Sequence, residues 1–147
     1  MKLVTILLCL LIPGALYASG GGGGGFSQRE SAPSLQEIKK KIDDKKYPEA
    51  ITLLKKYIKK DAGSADAYTY LGFSYRKNGQ LPDAFTAYDK ALALDPKHLG
   101  AHEYLGEAYL MNKEPAKARA TLNKLKGICG NCEESRDLEK AINAERH

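Results

Sequence analysis

Three cysteines and three histidines are the residues of this 147-residue chain best suited to act as nucleophiles, redox centres or metal ligands. Two of the cysteines form a short motif, Cys129-Gly130-Asn131-Cys132. In an oxidising compartment such a pair can close a disulfide, and the very short loop puts its entropic gain near the low end of the usual range. The motif also admits a thiol–disulfide redox site, because Cys132 immediately precedes a helical stretch whose dipole would lower a thiol pKa. Redox motifs of this kind, however, follow a strand in a βαβ setting, and no strand pattern is visible here. A structural zinc site needs four ligands where only two are paired, and haem attachment needs a histidine at the place held by Glu133. His98 and His102 are four apart, a chelating spacing on one helix, but His98 falls in a linker. No glycine-rich phosphate loop follows a strand, no nucleophile elbow occurs, and no motif fixes a carboxylate pair. The sequence offers no case for an enzyme, a cofactor or a metal centre.

Helices must position whatever these residues do. Between Ala65 and His98, apolar and small residues recur at helical spacing in two bursts. Tyr68, Leu71, Gly72 and Tyr75 form the first; Ala84, Phe85, Tyr88, Ala91 and Leu92 form the second. Asn78-Gly79 separates them and Asp95-Pro96 follows, so the stretch predicts a helical hairpin. Gly72 and Ala84 are small where two helices would cross, while Tyr75 and Tyr88 are bulky where a gap must be filled.

This pattern resembles the tetratricopeptide repeat (TPR), with its aromatic, Leu-Gly, Tyr, Ala, aromatic, Ala and Pro spaced over about 34 residues. Tyr68, Leu71, Gly72, Tyr75, Ala84, Tyr88, Ala91 and Pro96 occupy those places. One period forward lie His102, Leu105, Gly106, Tyr109, Ala118, Leu122 and Leu125, with the final Pro lost and His102 where the packing aromatic belongs. One period back lie Ala50, Leu54 and Tyr57, behind a degenerate first helix. The resemblance implies an all-α solenoid of about three helical hairpins, at about residues 31–64, 65–98 and 99–132, within a TPR domain of 34–132. Ser34 with Glu37 forms a capping box that opens the first helix through Leu35, Ile38 and Ile42. Pro48 and Pro82 fall in first turns, and the last repeat helix, carrying Ala116, Ala118, Leu122 and Leu125, ends near Lys126. After a break at Gly127–Cys132, residues 133–147 read as a helix with Leu138, Ala141 and Ile142 on one face, capping the stack. Glu133, Glu134 and Arg146 suit its dipole. The chain is also similar to small exported bacterial TPR proteins with a cysteine pair near the C-terminus.

For such a domain the resemblance implies a concave groove lined by the first helix of each hairpin and suited to a protein or peptide segment. Groove positions fall on Asp66, Thr69, Tyr70, Phe73, Arg76 and Lys77 in the second repeat. They fall on Glu103, Tyr104, Glu107 and Leu110 in the third, and on Leu35, Lys39 and Ile42 in the first. Tyr70, Phe73 and Tyr104 are the expected aromatic anchors. TPR domains that clamp a C-terminal carboxylate use Lys, Asn and Arg at positions three of which are Tyr70, Gly100 and Tyr104 here, so that ligand class is not supported. The expected function is a non-catalytic adaptor or assembly factor. The alternatives are a thiol–disulfide participant that chooses clients with its repeats, and a self-associating scaffold.

Residues 1–18 have the basic start, short apolar run and small Ala18 of a secretory signal peptide, shorter than the roughly 20 residues a bilayer span needs. Export to a periplasm, or secretion, is expected, with Cys9 discarded. Residues 19–33, opening on Ser19 and Gly20–Gly25, read as a flexible linker. The formal charge is +5, with lysines strung through helices, as at Lys39-Lys40-Lys41 and Lys59-Lys60. Interspersed Asp43, Asp44, Glu49 and Asp61 favour a solvated helix face over a nucleic-acid surface.

Overall fold

The capping box predicted at Ser34 opens the first described helix. In a computed structural model, which describes residues 33–145, the Ser34 hydroxyl accepts from Glu37 N–H while the Glu37 carboxylate accepts from Ser34 N–H. The predicted signal segment, most of the glycine-rich linker and Arg146 lie outside the described residues. Among the described residues the chain forms seven helices: α1 (Leu35–Asp43), α2 (Tyr47–Lys60), α3 (Ala65–Lys77), α4 (Leu81–Leu94), α5 (Leu99–Met111), α6 (Pro115–Cys129) and α7 (Glu133–Ala144). Pro48, Pro82 and Pro115 stand in the first turns of α2, α4 and α6, where a missing N–H is harmless. Ser64 and His98 cap α3 and α5 by accepting from Ala67 N–H and Ala101 N–H.

The repeat is written in the backbone as clearly as in the side chains. Each hairpin joint has a residue with positive φ: Lys45 at 59°, Gly79 at 80° and Lys113 at 61°. These positions are one period apart. At each joint the left-handed residue donates back three positions, and the next residue donates back five, from Lys46 to Lys41, Gln80 to Tyr75 and Glu114 to Tyr109, all at 2.9 Å. The paired bonds satisfy carbonyls that a helix end would leave open. The first hairpin, degenerate in sequence, therefore turns like the others, although α1 has 9 residues where α3 has 13.

Glycines mark the closest crossings. A Cβ added to Gly72 would lie 2.5 Å from the Tyr88 ring, which α4 drives, fully buried, against α3. The equivalent Gly106 of α5 receives Leu138 from α7, again at 2.5 Å from an added Cβ. The last helix is thus keyed into the same kind of notch that closes the hairpin one repeat earlier. One buried cluster runs from Ile38 and Ile42 through Leu54, Leu71 and Tyr88 to Leu105; a second joins Leu110, Leu122, Leu125, Leu138 and Ile142 under α7.

Two expectations need correcting. The helix carrying Leu122 does not end near Lys126 but continues through Gly127 and Ile128 to Cys129. Gly127 has no steric reason to break it; the stop is Gly130, with φ 67°. Ala116, expected on the inward stripe, is exposed, because two positions before Ala118 it lies about 200° around the helix from the buried Ala118, Leu122 and Leu125 face.

Successive first helices pack directly on one another, α1 on α3, α3 on α5 and α5 on α7. Among the described residues no second helix makes such a contact with the next second helix. A stack pinched along one row and splayed along the other curves toward the pinched row, which puts α1, α3, α5 and α7 on its inner side.

Candidate functional site

Aromatic rings from three elements meet along this inner side. Phe73 of α3 lies with its centroid 4.9 Å from Tyr104 of α5 and 6.4 Å, edge-on, from Tyr47 at the start of α2. Such tilted and edge-to-face pairs suit the ring quadrupoles. All three rings, and Tyr70 one turn before Phe73, are half-buried, so each presents an apolar surface to solvent while anchored on the core. Burial, reinforced by Asp66 and Asp43, raises the pKa of Tyr70. Tyr104 is pushed up to about 12, first by burial and then by Glu103 and Glu107. Both phenols stay neutral donors at physiological pH.

Arg76 organises the polar half of the wall. Its guanidinium sits 5.3 Å from the Phe73 centroid and 5.8 Å from that of Tyr104, and it pairs with Glu107 across α5. Only 4% exposed, it is a structural cross-tie between α3 and α5, with the buried Tyr88 hydroxyl close by. Lys77 stands 5.4 Å over Phe73 and is exposed. Glu103, beside this group, has its carboxyl raised to about 7, chiefly by burial and then by Glu107, Asp137 and Glu134, with Arg76 opposing.

The structure divides the predicted groove residues. Tyr70, Phe73, Lys77, Glu103, Tyr104 and Glu107 reach the surface of the inner side. Asp66 is exposed but bound, its carboxylate 2.8 Å from His98 Nε2. Four positions are corrected. Arg76, 4% exposed, is a cross-tie inside the wall, because its guanidinium pairs with Glu107. Thr69, 2% exposed, donates its hydroxyl to Ala65 C=O and is closed over by His98. Leu110, 6% exposed, belongs to the core covered by α7. Ile42 is likewise core, because the short α1 turns its whole apolar stripe onto α2 and α3. Glu134 and Asp137 were not predicted at this wall. The only sequence signal for Glu134 was the acidic first turn of α7, which equally serves the helix dipole, and Asp137, beyond that turn, had none.

The histidines do not converge. His98 caps α5 and bonds Asp66, whereas His102 is buried with Nε2 2.9 Å from Pro96 C=O. Among the described residues no group of three or more His, Cys, Asp or Glu is arranged to hold a metal ion, and no helix is long and apolar enough to cross a membrane. Cys129 and Cys132 stand on either side of the α6–α7 joint, their Cα atoms 5.7 Å apart and their sulfur atoms side by side. The joint is also held by the buried Ser135 hydroxyl, 3.0 Å from both Gly130 C=O and Cys132 C=O, and by Arg136 donating to Asn131 C=O.

A family model described as tetratricopeptide repeat matches residues 41–98 and 71–131. The chain belongs to the tetratricopeptide repeat family. Solved TPR structures share its fold. The type III secretion chaperone SycD of Yersinia enterocolitica, in complex with a peptide of the translocator YopD, has a TM-score of 0.66 at 19% identity, over 75% of this chain and 84% of that one. The TPR2B domain of yeast Sti1, in its complex with pHsp70, gives 0.68 at 22% identity, over 76% and 91%. The second TPR domain of human RPAP3, with an Hsp70 peptide, gives 0.67 at 15% identity, over 76% and 91%. A search of curated proteins finds no match.

Proposed function

We propose that this TPR domain is a non-catalytic adaptor whose inner side, between α3, α5 and α7, holds a segment of a partner protein. The observation that carries this is the half-buried row of Tyr47, Phe73 and Tyr104, rigid rings from separate elements that share one wall and stay partly exposed. The solved TPR structures of like fold include several with a peptide bound, which supports a peptide as the type of ligand. Peptide capture would use the aromatic anchors for affinity and the flanking Glu103, Glu107 and Lys77 for register.

We further propose that residues 1–18 direct export and that residues 19–33 tether the domain, in a periplasm or outside the cell. An exported chain would keep Cys129 and Cys132 as a structural disulfide across the α6–α7 joint. Their Cα separation of 5.7 Å, usual for a bridged pair, supports that pairing. Mass spectrometry of the exported protein tests it, expecting a new N-terminus near Ser19 and a mass two hydrogen atoms below that of the dithiol form.

The binding reading is tested by capture from the exporting compartment with wild type and with Tyr70→Ala/Phe73→Ala/Tyr104→Ala, after circular dichroism shows the variant helical. Partners retained by wild type and lost by the variant support the inner wall. Equal retention by both contradicts it.

A further inference from the structure

The inner wall has an electrostatic bias that its overall composition hides. The whole chain is positive, at +5, yet the surface beside Phe73 and Tyr104 collects carboxylates from two helices: Glu103 and Glu107 of α5, Glu134 and Asp137 of α7. The packing of α7 on α5 brings them together: Leu138 seats on Gly106, with Glu107 beside that glycine and Glu103 one turn before it, and with Asp137 beside Leu138 and Glu134 one turn before it. Burial first, and then the other three carboxylates, disfavour ionisation of Glu103. Arg76, the guanidinium within this group, is paired with Glu107 and shut into the wall, so it offsets the charge of Glu103 only in part, and the exposed Lys77 stands over Phe73 on the α3 side, away from α7. The free domain therefore holds mutually repelling carboxylates on a surface with an apolar floor. A ligand that brings positive charge would relieve that repulsion, whereas an acidic one would add to it.

The aromatic floor favours the same kind of ligand. Arg76 and Lys77 show that the faces of Phe73 and Tyr104 accept cations at 5.3–5.8 Å. Ring faces attract cations through the quadrupole. We propose that the segment held between α3, α5 and α7 is basic, with Lys or Arg side chains reaching Glu103, Glu134 and Asp137 while its apolar residues lie on Phe73 and Tyr104. This rests on the reading of the inner side as a peptide groove and adds the charge of its occupant. It also gives α7 a second role, since the helix that covers Leu110 and Leu125 carries half of the acidic wall as well. The positive charge of the rest of the molecule repels a basic peptide, so any attraction must come from this patch.

The test uses the folded domain and three fluorescein-labelled peptides of equal length, built on Lys-Ala-Leu, Glu-Ala-Leu and Gln-Ala-Leu repeats. Fluorescence anisotropy reads their affinity for wild type, for Glu134→Gln/Asp137→Asn and for Phe73→Ala. Both changed α7 residues lie outside the buried core, so that variant keeps the fold, as circular dichroism would check. The expected result is that the Lys peptide binds at least about tenfold tighter than the Glu peptide, weakens with added salt, and loses about tenfold in both variants. If the Glu or Gln peptide binds as tightly and Phe73→Ala still weakens it, the groove stands and the basic preference is overturned. A Lys peptide indifferent to Glu134→Gln/Asp137→Asn overturns the preference too. Binding unmoved by Phe73→Ala, or absent for all three peptides, overturns the groove reading with it.

Discussion

Single residues in this domain are held in conformations and charge states that solution experiments can read. Lys45 and Lys113 adopt the left-handed backbone that Gly79 takes at the same joint of the middle repeat. A side chain there costs conformational energy that glycine avoids, although glycine also loses more entropy on folding. Lys113→Gly should raise stability by about 0.5–1 kcal/mol, read as a higher urea midpoint at unchanged slope. A lower midpoint would show that the lysine contributes a contact outweighing the strain. Glu103 sets a pH dependence. Burial, then Glu107, Asp137 and Glu134, lift its carboxyl from 4.5 to about 7, so between those values the folded domain holds a proton the unfolded chain has released. Stability from this group is therefore full below about pH 4.5, falls as pH rises toward 7, and is lost above it. Glu103→Gln should raise stability at pH 8 by about 1–2 kcal/mol after solvent screening, and leave it unchanged at pH 4. Thermal melts at the two pH values decide it, and a gain confined to pH 4 would reverse the sign.

At the scale of elements, the hairpins were legible in the sequence because their packing is local and periodic. Gly72 opposite Tyr88, and Pro48 and Pro82 in first turns, each follow from one repeat's own spacing. The end of α6 was not legible, since Gly127 looks like a breaker in sequence but sits in open space, while Gly130 supplies the turn. The partner of Gly106 was not legible either. By periodicity it should face Leu122, yet Leu138 of α7 fills the notch, a contact between elements that share no repeat register. Leu138→Ala should cost about 2–4 kcal/mol, since it empties a fully buried site on which α7 depends. Hydrogen exchange should then show α7 amides losing protection before those of α3 and α4; uniform loss would mean that α7 is not a separate unit. Reducing the proposed Cys129–Cys132 disulfide should matter far less. The loop it would close is short, and Ser135 and Arg136 already hold the joint. A melting shift of only a few degrees is expected, and loss of α7 on reduction would give the pair a larger structural role.

For the molecule as a whole, the row of first helices is drawn together and the second helices are splayed, so side chains on alternate helices share one wall. That geometry explains which of the candidates named from the sequence reach the inner surface and which do not. Tyr70, Phe73 and Tyr104 follow from the family pattern, because one face of each first helix must point inward. Thr69, Leu110 and Ile42 fail because the pattern does not say how deeply a helix sinks into its neighbours, which His98, α7 and the short α1 decide here. Glu134 and Asp137 were invisible because only the docking angle of α7 brings them beside Glu103. The central claim is that partners meet the inner side and not the outer one. Site-specific photo-crosslinking from a benzoyl-phenylalanine placed at Tyr70, against one placed at Thr86 on the outer surface of α4, tests it most directly. Crosslinked partner at the Tyr70 position and little at the Thr86 position is the predicted result; equal or stronger crosslinking from the Thr86 position would contradict it.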